Sequence, residues 1–258
     1  MQYKEIDFSK YSSIKIGPKI KVAIIEDESE LFDDYFLVGG ANNILVSPNP
    51  PSLMMLGKKF DYITINDDIL EVGCALKTGR LLSFAKKNNI ANFEFIAKLP
   101  GTIGGMVAMN AGVKSYEIFN IIKEIKIDGK WVDKNNIDYG YRYANLGGIA
   151  TAVRFNIEYG YSDELKNELI KLRDNQPKEP SAGSAFKNPK GDYAGRLIEA
   201  VGLKGKRKGD MAFSQKHANF LVNLGVGNFD DAIYLLELAK RRVYEEFGVL
   251  LKEEIKIV

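Results

Sequence analysis

Up to Tyr159 the chain is dominated by short stretches in which apolar and polar residues alternate. Beyond it, apolar residues recur every third or fourth position in two longer stretches. Alternation puts one face of a strand into a core, and the longer period does the same for a helix. Ile20, Val22 and Ile24 predict a half-buried strand. The acidic run Glu26 to Asp34 has room for a turn or two of helix at most, and Phe36-Leu37-Val38 is a short apolar strand entering Gly39-Gly40. Pro48-Asn49-Pro50-Pro51 breaks the chain. Tyr62 to Asn66 and Ile69 to Cys74 read as a hairpin across Asp67-Asp68. Thr78 is the expected N-cap of a helix that buries Leu81, Leu82 and Ala85 and stops at Asn88-Asn89. Ile121 to Ile127 and Lys130 to Val132 flank Asp128-Gly129, a strong two-residue hairpin signal. Val153, Phe155, Ile157 and Tyr159 predict one more strand.

From Ser162 the texture changes. Ser162 caps a helix carrying Leu165, Leu169 and Leu172, and Pro177 and Pro180 then interrupt the chain. A second helix is predicted from Asn228 through Ala232, Leu235, Ala239, Val243 and Phe247 to a stop at Gly248, its stripe read as core packing. Glu254 to Val258 is β-prone. The pattern is α+β, hairpins are more evident than repeated βαβ units, and the natural cut lies at Tyr159 to Ser162, between segments 1–159 and 160–258.

Composition narrows the function classes. Thirty-six basic residues stand against thirty-four acidic ones, a net +2 that argues against nucleic acid as a partner. No apolar run approaches the ~20 residues that span a bilayer, and the N-terminal Met-Gln-Tyr-Lys-Glu-Ile-Asp lacks the look of a signal peptide. A membrane is not expected. One cysteine, Cys74, and one histidine, His217, exclude a Cys/His zinc site and fit a reducing cytoplasm, so a cytoplasmic protein without a metal is expected.

The candidate chemistry sits in three turns. Glu94 to Gly112, EFIAKLPGTIGGMVAMNAG, holds Gly101, Gly104, Gly105 and Gly112, where the backbone can turn sharply and approach another group. Pro100 fixes φ before the first of these turns. Thr102, Asn110 and freed N–H groups would make a polar rim suited to anionic oxygens. Gly39-Gly40-Ala41-Asn42-Asn43 repeats the device upstream, and Gly183-Ser184-Ala185-Phe186-Lys187-Asn188-Pro189 is a reactive-looking turn downstream. A glycine loop can equally serve close packing, and Ser184 can be an ordinary cap. Three such turns in one chain favour an enzyme site with a large cofactor.

In order along the chain, LVGGANNILV, EFIAKLPGTIGG, MNAG, YGYR, SAGSAFKNP, AGRLIEAVGLKG, SQKHANFLVN and EEIKIV resemble the UDP-N-acetylenolpyruvoylglucosamine reductase family, over almost the full length. The resemblance implies a two-lobed FAD-binding domain of the vanillyl-alcohol-oxidase (PCMH) type over 1–159, its lobes meeting near 50–60. A smaller α+β substrate-binding domain would occupy 160–258, with 251–258 carrying an active-site glutamate back to the flavin. It implies FAD with NADPH as electron donor, UDP-N-acetylglucosamine enolpyruvate as substrate in peptidoglycan precursor synthesis, and a monomer. Gly39, Gly40, Ala41, Asn42 and Asn43 match the first pyrophosphate turn. Pro100, Gly101, Thr102, Gly104 and Gly105 match the second, with Asn110 and Gly112 beyond it. Ser184 matches the proton donor, Arg142 the carboxylate partner and Glu254 the C-terminal acid. Lys187 and Asn188 are candidate contacts for the UDP diphosphate. His217 is expected to be a structural hydrogen-bonder, and Lys204 to Lys208, KGKRK, a solvated loop or an attractor of an anionic nucleotide.

Departures from the family pattern are readable too. Ile16-Gly17-Pro18 stands where a Gly-Gly pair opens the family, Glu26 to Asp34 is short where relatives carry a full helix, and Ala144 replaces a serine after the arginine. The chain lacks the late insertion of the longer subtype and reads as the compact one. Two rival readings are a flavin- or nucleotide-binding protein without the hydride step, and an FAD oxidase for another small substrate.

Overall fold

The computed structural model describes residues 2–32 and 34–258. Met1 of the N-terminal reading and Asp33 of the acidic run lie outside the described residues. The chain divides into two compact units interleaved along the sequence: Met1–Lys4, Val22–Gly40 and Ser52–Asp174 form one, and Glu5–Lys21, Ala41–Pro51 and Asn175–Val258 the other. These borders differ from the texture change near Tyr159: the helix Asp163–Lys171 belongs to the first unit, because Leu169 joins that unit's core.

The first unit is built on a five-stranded antiparallel sheet in the order Lys130–Asp133, Ile122–Ile127, Ala150–Asn156, Ile69–Gly73, Ile63–Asn66. Both expected hairpins are present. Ile127 pairs with Lys130 across Asp128 and Gly129, whose φ values of +46° and +78° suit a turn that twists with its strands. Asn66 pairs with Ile69 across Asp67 and Asp68. Leu70, Val72, Ile125, Val153 and Phe155 form the buried face, and Phe93 meets Phe155 edge-on at 5.1 Å. The helix Thr78–Lys87 buries Leu81 and Ala85 against this core. Thr78 is not its cap. Lys77 holds that position without a side-chain bond, and the Thr78 hydroxyl, buried, donates to the Leu99 carbonyl at 2.6 Å.

Beside it, Leu53–Leu56 runs parallel to Phe36–Leu37 and to Ala23–Ile25 of the strand Lys19–Ile25. Leu53, Met54 and Met55 are consecutive and all buried, so this strand shows no alternation and has no period-2 signature in the sequence. The acidic run forms one short 3-10 turn, Glu28–Glu30.

The second unit packs the helix Phe229–Phe247 and the helix Ala194–Ala200 around a shared core. An antiparallel sheet in the order Ser181–Ser184, Phe220–Asn223, Met211–Phe213, Arg207–Lys208 belongs to the same unit. The expected stripe Ala232, Leu235, Ala239, Val243 is buried, and Phe247 ends 39% exposed. Asn228 caps the long helix by accepting the Asp231 N–H at 2.8 Å, and Gly248, φ +64°, closes it with its N–H on the Tyr244 carbonyl. Lys256–Ile257 lies parallel to Ile44–Leu45, so the last strand of the chain is paired with an early one. Among the described residues no helix is long and apolar enough to cross a membrane.

Candidate active site

In the first unit the two glycine turns meet at one side chain. A Cβ on Gly39 would come 2.5 Å from Thr102 Oγ1. That oxygen caps the short helix Ile103–Ala108 by accepting the Gly105 N–H at 3.3 Å. Gly101 holds φ +129°, which only glycine adopts readily, after Pro100. A Cβ on Gly104 would press 3.1 Å from Cys74 Cβ. The expected row of freed N–H groups is partly spent: Ile103 donates to the Leu76 carbonyl and Gly104 to the Cys74 carbonyl, each at 2.9 Å. Close packing therefore accounts for Gly104, while Gly105 is exposed and meets nothing nearer than Thr102 Oγ1 at 3.5 Å.

Asn110 is 1% exposed, so it stands beneath the turn rather than on its rim. Its Nδ2 donates to Glu117 Oε2 at 2.8 Å and to the Gly140 carbonyl at 3.1 Å, and its Oδ1 accepts the Phe119 N–H. Gly112 pairs with Glu117 so closely that an added Cβ would sit 2.7 Å from Glu117 Cα. Arg142 docks on this pair, Nη2 donating to the Gly112 carbonyl at 3.2 Å and Nη1 lying 3.6 Å from Glu117 Oε1. Arg173, missed by the sequence reading, lies in the same unit; burial and the neighbouring charge of Arg142 push its guanidinium below the usual range.

In the second unit three distant segments converge. Gly183, φ +78°, turns the chain at the end of the strand Ser181–Ser184, and Ser184, half-buried, pairs with Phe220. Asn219 clamps the residues that follow. Its carbonyl accepts the Ala185 N–H at 2.6 Å, its Oδ1 accepts the Phe186 N–H, and its Nδ2 donates to the Phe186 carbonyl. The Ala185 carbonyl in turn accepts the Glu254 N–H at 2.9 Å, and Lys187 N–H donates to the Lys252 carbonyl. From the other side Asn43 Nδ2 donates to the Glu254 carbonyl at 2.9 Å, while the Asn43 carbonyl accepts the Lys256 N–H. Ala41, buried with φ +51°, strains the turn before Asn42 and Asn43, and its carbonyl accepts the Ser13 N–H. Asn188 Oδ1 accepts the Ala194 N–H at the start of its helix. The structure thus joins Asn43, Glu254 and Ala185, the residue after Ser184, by hydrogen bonds.

Residues 176–258 match the family described as UDP-N-acetylenolpyruvoylglucosamine reductase, C-terminal domain. Over its whole length the chain is 47% identical to a UDP-N-acetylenolpyruvoylglucosamine reductase of Helicobacter hepaticus, covering 100% of both. The chain belongs to the UDP-N-acetylenolpyruvoylglucosamine reductase family. A relative of the same name from Campylobacter jejuni is 46% identical over 98% of this chain and 99% of its own. The crystal structure of UDP-N-acetylenolpyruvylglucosamine reductase (MurB) from Thermus caldophilus superposes with a TM-score of 0.87 at 31% identity, covering 100% of this chain and 99% of that one.

Within this reductase family member, Gly17 takes the place of the expected Gly-Gly pair. Its φ is +131°, and a Cβ there would meet Phe8 Cβ at 2.6 Å, so packing alone demands glycine. Ala144 lies in the short strand Tyr143–Asn145, half-buried against apolar residues. His217 accepts the Asn219 N–H on Nδ1 at 3.3 Å and packs edge-on against Phe220, a structural position behind the Ser184 turn. Lys204 and Arg207 of the basic loop pair with Glu199 and Asp210. The sequence reading also missed Asn219 and Glu117; each lies inside a quoted or adjoining motif, but nothing in residue type or spacing tells what its side chain holds.

Proposed function

We propose that this protein is an oxidoreductase of peptidoglycan precursor synthesis that reduces UDP-N-acetylglucosamine enolpyruvate to UDP-N-acetylmuramate at the expense of NADPH. The observation that carries this reading is the Asn43–Glu254–Ala185 cluster: residues from three sequence-distant motifs are joined by direct hydrogen bonds, the third of them directly after Ser184. The proposal includes a two-lobed FAD domain of the vanillyl-alcohol-oxidase type, a smaller substrate domain, and a monomer in the cytoplasm.

The residues fit a cofactor with a pyrophosphate. A Cβ on Gly39 would collide with Thr102 Oγ1, and the exposed Gly105 puts no side chain between its backbone and an approaching group. Gly39, Gly40, Ala41, Asn42 and Asn43 of the first motif and Pro100, Gly101, Thr102, Gly104 and Gly105 of the second would contact FAD, with Asn110 and Gly112 supporting the second. When bound, FAD would take two electrons from NADPH and supply the hydride for the terminal enolpyruvyl carbon.

The remaining chemistry belongs to side chains. Arg142, always cationic, would grip the substrate carboxylate with parallel hydrogen bonds as negative charge spreads into it. Ser184 Oγ would give its proton to the neighbouring carbon, whose enolic carbanion is basic enough to need no histidine. Glu254 would stabilise that charge only as the neutral acid, because a second carboxylate anion would oppose it. Lys187 and Asn188 would contact the UDP diphosphate. The test is direct. Purified protein should be yellow, NADPH should bleach it, and UDP-N-acetylglucosamine enolpyruvate should restore the colour without oxygen. Yellow protein that recolours only in air would favour the oxidase reading.

A further inference from the structure

Arg142 is held at some cost to the backbone. With Tyr141 it forms the two-residue turn between the strands Asp138–Gly140 and Tyr143–Asn145, and its φ is +60°. A left-handed backbone is strained for an L-residue, and glycine or asparagine is the unstrained choice in such a turn. The position keeps arginine, whose side chain then turns back onto Gly112 and Glu117.

The grip on it forms a closed circuit. Glu117 faces the Arg142 guanidinium with Oε1 and accepts Asn110 Nδ2 on Oε2. The same Asn110 amide donates to Gly140, the last strand residue before the turn that carries Arg142. One buried side chain therefore ties both the carboxylate and the backbone turn of the arginine to a common point. The side chains of Arg142 and Glu117 are only 18% and 22% exposed, so the pair is screened less than an ion pair in open solvent.

We propose that Glu117, fixed by Asn110, is the positioning residue that aims the Arg142 guanidinium at the substrate carboxylate. The inference rests on the reading of Arg142 as the carboxylate partner. The carboxylate of Glu117 takes one flank of the guanidinium and the Gly112 carbonyl another; together they fix the plane of the fork. A bidentate contact depends on that plane, so losing the anchor affects the substrate step before it affects the fold.

The experiment uses full-length FAD-loaded protein reduced with dithionite and mixed anaerobically with UDP-N-acetylglucosamine enolpyruvate. Glu117→Gln should slow flavin reoxidation by ~10- to 100-fold, the scale of a reacting group displaced by about an ångström. Flavin content and melting temperature should stay close to wild type, and Glu117→Asp should recover part of the rate. In a double-mutant cycle, Glu117→Gln added to Arg142→Lys should cost little more than Arg142→Lys alone, because the two residues act as a unit. Full additivity, or a rate loss that only tracks lost flavin, overturns the proposal and leaves Glu117 a structural residue. Wild-type protein that the substrate cannot reoxidise, or Arg142→Lys with an unchanged rate, overturns the underlying reading of Arg142 and this inference with it.

Discussion

Asn43 donates its side-chain amide to the backbone carbonyl of Glu254, across 211 positions of sequence. The bond is one rung of a local ladder, since the Asn43 carbonyl also accepts the Lys256 N–H and Ile44 pairs with Lys256. Two residues read separately from the sequence, one as part of a cofactor turn and one as an acid, are thereby fixed to each other. The Ser184 turn joins them through the Ala185 carbonyl, which accepts the Glu254 N–H.

Removing that amide should loosen the acid without unfolding the protein. Asn43→Ala loses a part-buried hydrogen bond, a stability cost of about 1 kcal/mol. Because the Asn43 amide and the Ala185 carbonyl both hold the Glu254 backbone next to the Ser184 turn, turnover should fall by more than the stability change accounts for. Steady-state assays beside thermal melts on the same preparations measure both. Equal turnover in the variant would mean that the carbonyl contact does not position the acid.

Gly39 and Thr102 make a second test, on steric grounds. A methyl group on Gly39 would displace Thr102 Oγ1, and the Gly105 N–H would lose its cap. Gly39→Ala should lower stability by about 1 kcal/mol, the usual worth of an N-cap, and reduce the flavin retained on purification. Thr102→Ala removes the same cap by another route, so the double variant should be barely worse than Thr102→Ala alone. Melting temperature and the absorbance ratio of flavin to protein read these outcomes.

How much of this was legible in the sequence depends on which force set each feature. Local turn chemistry was readable: Asp128-Gly129, Ser162, Asn228 and Gly248 all do what their residue types suggest. Leu53–Leu56 was not, because a parallel strand buried on both faces has no alternation to detect. Thr78 misled because a buried hydroxyl found a tertiary acceptor in Leu99, which outweighed its value as a cap. The glycine turns were visible as composition, but three of the N–H groups expected to be free are bonded to Leu76, Cys74 and Thr102. Asn110 and Asn219 look alike in sequence, and only the fold shows each as a buried clamp holding a different turn. The interleaving of the two units, with 41–51 beside 175–258, rests on pairings between sequence-distant strands that no local pattern encodes.

His217 gives a pH-dependent prediction. Burial holds its pKa below the ordinary 6.5, with Lys204 pushing the same way and Glu199 opposing. The folded state thus binds its proton less readily than the unfolded state, and stability is lost as pH falls below 6.5. Protonation also removes the Nδ1 acceptor for the Asn219 N–H, and Asn219 holds the Ser184 turn. Melting temperature should drop on acidification from neutral pH, and His217→Gln should flatten that part of the profile. A His217→Gln profile that keeps the wild-type slope would assign the acid sensitivity to other groups.

Ser184→Ala separates the proton step from cofactor chemistry. Ser184 is half-buried at the end of its strand, and among the described residues no hydrogen bond of its side chain holds the turn, which Asn219 clamps through Ala185 and Phe186. Alanine should therefore fold with an unchanged melting temperature and full flavin. Bleaching by NADPH should survive, since that half-reaction needs no proton from this hydroxyl. Reoxidation by UDP-N-acetylglucosamine enolpyruvate should fall ~10²- to 10⁴-fold, the usual worth of a positioned general acid. Single-turnover absorbance traces of the two half-reactions distinguish the outcomes: equal losses in both would point to a misplaced flavin, and no loss in either would take the proton donor away from Ser184.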